Sequence, residues 1–233
     1  MSITYELLES GVAVLTFDDG KANALSPSSL TTLSNLLDRC AEEANSVVLV
    51  GREGVLSAGF DLKIMTSGGE AAAGLVTQGC NVLLKLYEHP QPVVIASPGH
   101  AVAGGAVLML CGDHRVSAEG DYKIGLNEVR IGLPMPIFVS ELVRERVTRS
   151  SFVAATLFAT IYSPEEALSI GLVDELCAVD QVRERAIERA TELAKLPAGA
   201  YASTKRSIRG TLITHVRATL EDDMVRVIAD GDF

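Results

Sequence analysis

The sequence predicts an α/β fold with parallel strands, on three observations. The runs "SVVLVG" (46–51) and "PVVIAS" (92–97) are continuous and rich in valine and isoleucine, the composition of strands covered on both faces. Helical patterns lie between such runs, and strands alternating with helices pair in parallel through right-handed crossovers. At 233 residues, 48% hydrophobic and 21% charged, the chain can bury roughly 70 to 75% of its unfolded surface around one large core.

Each element follows in order. Apolar residues alternate over 3–9 and 11–17 with Ser10 and Gly11 at the joint, which predicts a two-stranded hairpin. A helix comes next: Asn23 or Ser26 can cap it, Pro27 suits its first turn, and Leu30, Leu33, Leu36 and Leu37 recur at helical spacing. After "SVVLV", the turn "LSAGFDL" (56–62) places Gly59 before Phe60 and Asp61, so the backbone can turn sharply and leave an amide unpaired. After "PVVIAS", Gly104 and Gly105 open an apolar helix. Its N-terminus offers free amides and partial positive charge, suited to a developing oxyanion. Spacing alone equally allows these glycines to serve close packing of helix on strand. From about Ser140 amphipathic stretches dominate, including "DQVRERAIERATELAKL" (180–196), whose mixed charges read as a solvated helix face. There is no tandem repeat and no low-complexity linker.

Charge and cysteine usage exclude several classes. A net charge of -10 and a pI near 4.9 argue against nucleic-acid binding, which needs cations to neutralise phosphates. Cys40, Cys80, Cys111 and Cys177 are widely spaced and read as thiols of a reducing compartment, and no secretory leader is recognisable, so the expected location is the cytoplasm. The apolar tract 92–111 is broken by Pro98, Gly99, His100, Gly104 and Gly105, so it reads as strand, turn and helix and no membrane partner is expected. His89, His100, His114 and His215 lack metal-ligand spacing, so no metal site is expected; His100 reads as a packed, hydrogen-bonded imidazole. Ser57 and Ser97 lack a G-x-S-x-G setting. One acid, Glu128, stands among glycines, apolar residues and a proline in "GLNEVRIGLP" (125–134). It is either a surface acid beside Arg130 or a base.

Three blocks in order, "LSAGFDL", "PVVIASPGHAVAGGAVLMLCGDHR" and "YKIGLNEVRIGLPMP", resemble the crotonase superfamily of enoyl-CoA hydratases and isomerases, from near residue 3 to beyond residue 200. The resemblance implies a crotonase-like spiral of ββα units over 1–190 and a C-terminal helical trimerisation region over 191–233, giving a homotrimer or a dimer of trimers. It implies an acyl-CoA thioester as ligand, with coenzyme A part of the substrate and no metal or redox cofactor. Carried over by position, the oxyanion-hole amides are those of Phe60 and Gly104. Ala58, Asp61 and Leu62 would lie by adenine and pantetheine, with Lys63 a further candidate for phosphate. Lys205, with Arg206 and Arg209 nearby in "STKRSIRG", is either a CoA-phosphate ligand across a subunit boundary or part of a solvated helix face. Asp113 and Arg115 in "CGDHR" read as an internal ion pair or turn former. Leu25, Met65, Leu75, Val107, Leu133, Pro134 and Phe138 are acyl-pocket candidates, each equally readable as core. Many relatives continue past the acidic stretch at 221–223 with a further helix, which leaves open what closes the acyl pocket here.

Hydratases of this superfamily carry two glutamates. The block "GLNEVRIG" supplies one, Glu128, but the position a helical turn after the oxyanion-hole glycine is Val107. Valine has no lone pair and no exchangeable proton, so it cannot activate water. Shifting a double bond from C3 to C2 needs one base to remove a proton at C2 and return it at C4, and "IGLNE" is similar to the mitochondrial type of Δ3,Δ2-enoyl-CoA isomerase. The expectation is therefore an isomerase with Glu128 as catalytic base and Asn127 as a possible orienting group. The alternatives are hydration or another crotonase-type reaction, or a catalytically silent CoA-binding homologue.

Overall fold

The computed structural model describes residues 2–67 and 69–231. The chain opens with the expected hairpin, β1 (Ile3–Leu7) against β2 (Val12–Phe17). Helix α1 (Pro27–Glu43) starts at Ser26, whose side chain accepts from the Ser29 amide and closes a capping box, and it buries Leu30, Leu33 and Leu37. Asn23 is not the cap. It sits at φ 53°, fully buried, because its side chain has another task described below.

The strands then arrive in pairs. β3 (Ser46–Val50) is followed by β4 (Gly54–Ser57), β5 (Val93–Ser97) by β6 (Gly99–Val102), and β7 (His114–Ala118) by β8 (Ile124–Gly125). The first of each pair joins a six-stranded sheet of order β1-β2-β3-β5-β7-β10, and the second joins a four-stranded sheet of order β4-β6-β8-β9. Helices α2 (Leu62–Met65) and α3 (Gly69–Tyr87) follow β4, and α4 (Gly104–Leu110) follows β6. Two strands feeding two sheets and then a helix is the ββα spiral, with β2, β3, β5 and β7 in parallel register. The continuous valine runs of β3 and β5 are covered on both faces.

Helices dominate after Ser140, as the amphipathic stretches predict, but they do not stand alone. Helices α5 (Ile137–Arg146), α6 (Phe152–Thr156) and α7 (Pro164–Ile170) are interleaved with β9 (Ile161–Tyr162) and β10 (Glu175–Cys177), which extend the two sheets. Strands of two and three residues leave no periodic signal. The expected boundary at residue 190 falls inside α8 (Val182–Leu193). That helix lays Val182, Ala186 and Ala190 on the main sheet against Val12, Val48, Val94 and Val116. Its other face carries the charges, paired as Arg185 with Glu188 and Arg189 with Glu192. The long α9 (Ala198–Ala229) folds back onto α3 and α5 and contributes Leu212, Ile213, Val216, Met224 and Val227 to the larger core, which holds Val47, Leu49, Val93 and Ile95 of the main sheet. Among the described residues, no helix is long and apolar enough to cross a membrane.

Three sequence expectations about charges are corrected here. Asp113 and Arg115 do not pair with each other: Arg115 pairs with Asp174 at 2.6 Å, and Asp113 accepts from Lys205 at 2.6 Å and Arg209 at 2.7 Å. Lys205 and Arg209 are each 5% exposed, so neither belongs to a solvated face. Lys205 is committed to a buried acid and to the Gln91 carbonyl, which removes it as a phosphate ligand. Arg206 is exposed.

Candidate active site

The site is assembled from two glycine-bearing turns, one strap and the C-terminal helix. In the first turn, Ser57 donates to the Asn23 carbonyl at 2.7 Å and accepts from the Gly59 amide at 3.1 Å. The Asn23 side chain donates to the carbonyls of Phe17 (2.7 Å) and Leu56 (3.0 Å). It therefore rivets the loop before α1 to the loop after β4. Leu25 and Phe60 form a parallel bridge there, using Leu25 N to Gly59 O and Asp61 N to Leu25 O. Gly59 has φ +96°, and a Cβ on it would stand 3.0 Å from the Ala103 side chain. This is a position that glycine alone meets without strain.

The second turn carries Ala103 at φ 50°, ψ -130°, a strained conformation of the kind that persists when its surroundings over-determine it. Ala103 N donates to Gly125 O, while its carbonyl accepts from Ala106 and Val107. The twist leaves Gly104 as the first residue of α4. Among the described residues, neither the Phe60 amide nor the Gly104 amide donates a hydrogen bond. The two are neighbours: a Cβ on Gly104 would meet Gly59 Cα at 3.3 Å and the Phe60 ring at 3.5 Å. Gly105 does something else. A Cβ there would lie 2.0 Å from Ser57 O, so this glycine serves close packing of helix on strand.

A cavity of about 410 Å³ opens beside these amides, and its lining includes Phe60, Gly104, Val107, Asn127 and Glu128. Glu128 follows β8 and begins a short 3-10 turn, Val129–Ile131, closed by Gly132 at φ 79°. The carboxylate is 8% exposed, makes no ion pair with Arg130, and leaves Oε2 without a hydrogen-bond partner among the described residues. Lost hydration pushes this carboxyl up from the usual 4.5 to about 7, with the nearby backbone N–H groups of Glu128 and Asn127 pulling weakly the other way. Asn127 Oδ1 is likewise buried and unpartnered, and among the described residues no side-chain hydrogen bond joins Asn127 to Glu128. Val107 lies one turn along α4 from Gly104 and is 3% exposed.

Most expected residues gather here. Ala58, Leu62, Met65, Val107, Leu133, Pro134 and Phe138 line the cavity with Phe60, Gly104 and Glu128. Leu25 and Leu75 do not. Both are core, and a Cβ on Gly104 would stand 3.2 Å from Leu25 Cδ1. Asp61 caps α2 by accepting from the Lys63 amide at 2.9 Å; the Lys63 side chain is exposed. His100 accepts from Lys123 N and packs edge-on to Tyr122. Ser97 donates to Gly99 O. Both act as structural groups. Cys80, Leu83, Val139 and Val227 also line the cavity; sequence reasoning missed them because their helical spacing marks only a buried face. Among the described residues, no three His, Cys, Asp or Glu side chains gather as for a metal.

The family model described as enoyl-CoA hydratase/isomerase matches residues 8–226. The chain belongs to that family. It is 32% identical over 205 residues to the mitochondrial enoyl-CoA delta isomerase 1 of Mus musculus, covering 86% of this chain and 71% of that protein. Among solved structures, the human mitochondrial delta3-delta2-enoyl-CoA isomerase superposes with TM-score 0.93 at 27% identity, covering 98% and 91% of the two chains. An enoyl-CoA hydratase from Mycobacterium marinum superposes with TM-score 0.91 at 34% identity, covering 97% and 100%.

Proposed function

We propose that this enzyme shifts the double bond of an acyl-CoA thioester from C3 to C2, with Glu128 as the single proton carrier. The observation that carries the reading is one buried carboxylate in a largely apolar cavity that Val107 also lines, at the position where a hydratase carries its second acid. The thioester oxygen sits between the amides of Phe60 and Gly104, which stabilise the dienolate; one such donor is worth about 2.7 to 4 kcal/mol in the transition state. Ionised Glu128 takes a proton from C2, the electrons move toward the thioester oxygen and the C3–C4 double bond shifts, and the same carboxyl delivers the proton to C4. The apolar wall keeps water from competing. Ala58 and Leu62, in the cavity lining, are the neighbours of the adenine and pantetheine in this reading, and the isomerase name of the mouse relative agrees with it. Self-association into trimers or pairs of trimers belongs to the same proposal, and Leu157 and Phe158, about two-thirds exposed, supply apolar surface for it.

The test is a product assay with short and medium 3-enoyl-CoA thioesters. The expected product is trans-2-enoyl-CoA, and Glu128→Gln should lower turnover by about 100 to 10,000-fold. Undiminished turnover in that variant removes the proposed base. Crotonyl-CoA is the control, since bleaching of its conjugated absorbance reports hydration, the family's other activity.

A further inference from the structure

Glu128 stands at one end of a strap, residues 128–136, whose other end runs into α5 through the Pro136 carbonyl, which accepts from Ser140 N at 3.1 Å. The Glu128 carbonyl accepts from Ile131 N (3.0 Å) and Leu133 N (2.9 Å), which ties the near end into the turn. Beyond Gly132, the strap passes Leu133, Pro134 and Pro136 along the cavity wall; two prolines remove two amides that could have anchored it. Pro136 also stands at the N-cap of α5 and offers that helix no side-chain acceptor.

The missing acceptor comes from α9, 86 residues away. Asp223 Oδ2 accepts from Ile137 N at 2.7 Å, and Oδ1 accepts from Arg226 at 2.7 Å. Arg226 in turn donates to the Met135 carbonyl at 3.0 Å. Asp223 is 4% exposed, and a buried carboxylate persists only where its oxygens are satisfied; here both serve the strap and its partner. The adjacent Val227 lines the cavity. Docking of α9 does not need this pair, because Leu212, Ile213 and Val216 and the Asp113 ion pairs already hold the helix.

We infer that Asp223 and Arg226 are positioning residues, a latch by which the C-terminal helix of the same chain holds the Glu128 strap against the cavity and keeps water from the carboxylate. The inference rests on Glu128 being the base, but its readout does not need turnover. Besides Glu128, Cys80 on α3 is the titratable side chain lining the cavity among the described residues, and burial pushes its thiol up to about 12. A carboxyl titration near neutral pH therefore reports Glu128.

The experiment is a carboxyl ¹³C NMR titration of the glutamate-labelled protein, with the Glu128 signal assigned by its loss in Glu128→Gln, alongside kinetics on a 3-enoyl-CoA. In the wild type the midpoint lies near 7. In Asp223→Ala it should fall by about one pH unit or more as water reaches the carboxylate. The turnover number should drop about 10 to 100-fold with KM within about threefold, the pattern of a misplaced catalytic group. Asp223→Asn, which retains an acceptor for Ile137, should recover part of both. Arg226→Met keeps the variant set decisive if Asp223→Ala does not fold, since the Arg226 side chain is 42% exposed; it should move the midpoint in the same direction. A midpoint that stays in place in the folded variants, or turnover that falls only with the folded fraction, overturns the latch. A wild-type carboxyl near 7 that shifts in the variants, without 3-enoyl-CoA conversion, leaves the latch standing and sinks the isomerase reading instead.

Discussion

Replacing Glu128 by glutamine should make the protein more stable at alkaline pH while it removes the base. The folded carboxyl titrates at about 7 against an ordinary 4.5, because burial strips its hydration and Oε2 has no partner. A folded value above the unfolded one means that the folded protein holds this proton more tightly. Below about pH 4.5 both states are protonated and nothing is lost. Between 4.5 and 7 the unfolded chain ionises first, so stability falls as pH rises; above 7 the loss is complete. At 1.36 kcal/mol per pH unit across that window, the full loss is about 3 kcal/mol. Glutamine has nearly the same shape and no such titration. Denaturant unfolding of both proteins at pH 5.5 and pH 8, at one protomer concentration, isolates the effect because other groups cancel in the difference. The advantage of the glutamine variant should grow by about 2 kcal/mol between those two pH values. Parallel curves, with a gap constant to within about 0.5 kcal/mol, would mean that the carboxylate is hydrated in the folded state, and the cavity argument would fail with it.

Two further outcomes follow from the packing. Gly105→Ala places a methyl 2.0 Å from the Ser57 carbonyl, where backbone must move, and should destabilise the protein by about 1 to 3 kcal/mol or more; a Gly104→Ala control, with contacts no nearer than 3.2 Å, should melt closer to the wild type. Asp113→Ala strands Lys205 and Arg209, both 5% exposed, and should cost about 3 to 5 kcal/mol by denaturant unfolding, as removal of one partner from a buried ion cluster does. Adding Lys205→Met should restore part of that loss; no restoration would show that the cluster is hydrated.

The parts of the fold that were legible are those written in short-range pattern. Alternation announced β1 and β2, the valine runs announced β3 and β5, and the spacing of Leu30, Leu33 and Leu37 announced the buried face of α1. β9 and β10 were not, since two or three residues cannot establish a period and their pairing partners supply the geometry. Motif resemblance brought Phe60, Gly104, Val107 and Glu128 to one place, and the cavity contains all four. It could not sort lining from support. Leu25 and Val107 are both buried apolar residues, and only packing shows that Leu25 belongs to the core beside Gly104 while Val107 lines the cavity. Lys205 looked like a free cation because its partner, Asp113, is 92 residues away.

The sequence by itself determined the alternation of valine-rich strands with helices, the glycines at two turns, and a lone acid at residue 128 among apolar neighbours. These are local properties of backbone freedom and side-chain chemistry, present before folding. Tertiary structure decided the rest: that the acid loses its water and titrates near neutrality, and that Val227 of α9 joins the cavity wall while Asp223 and Arg226 fasten the strap. Desolvation and pairing depend on atoms brought together from distant parts of the chain, and no pattern along the sequence encodes which atoms those will be.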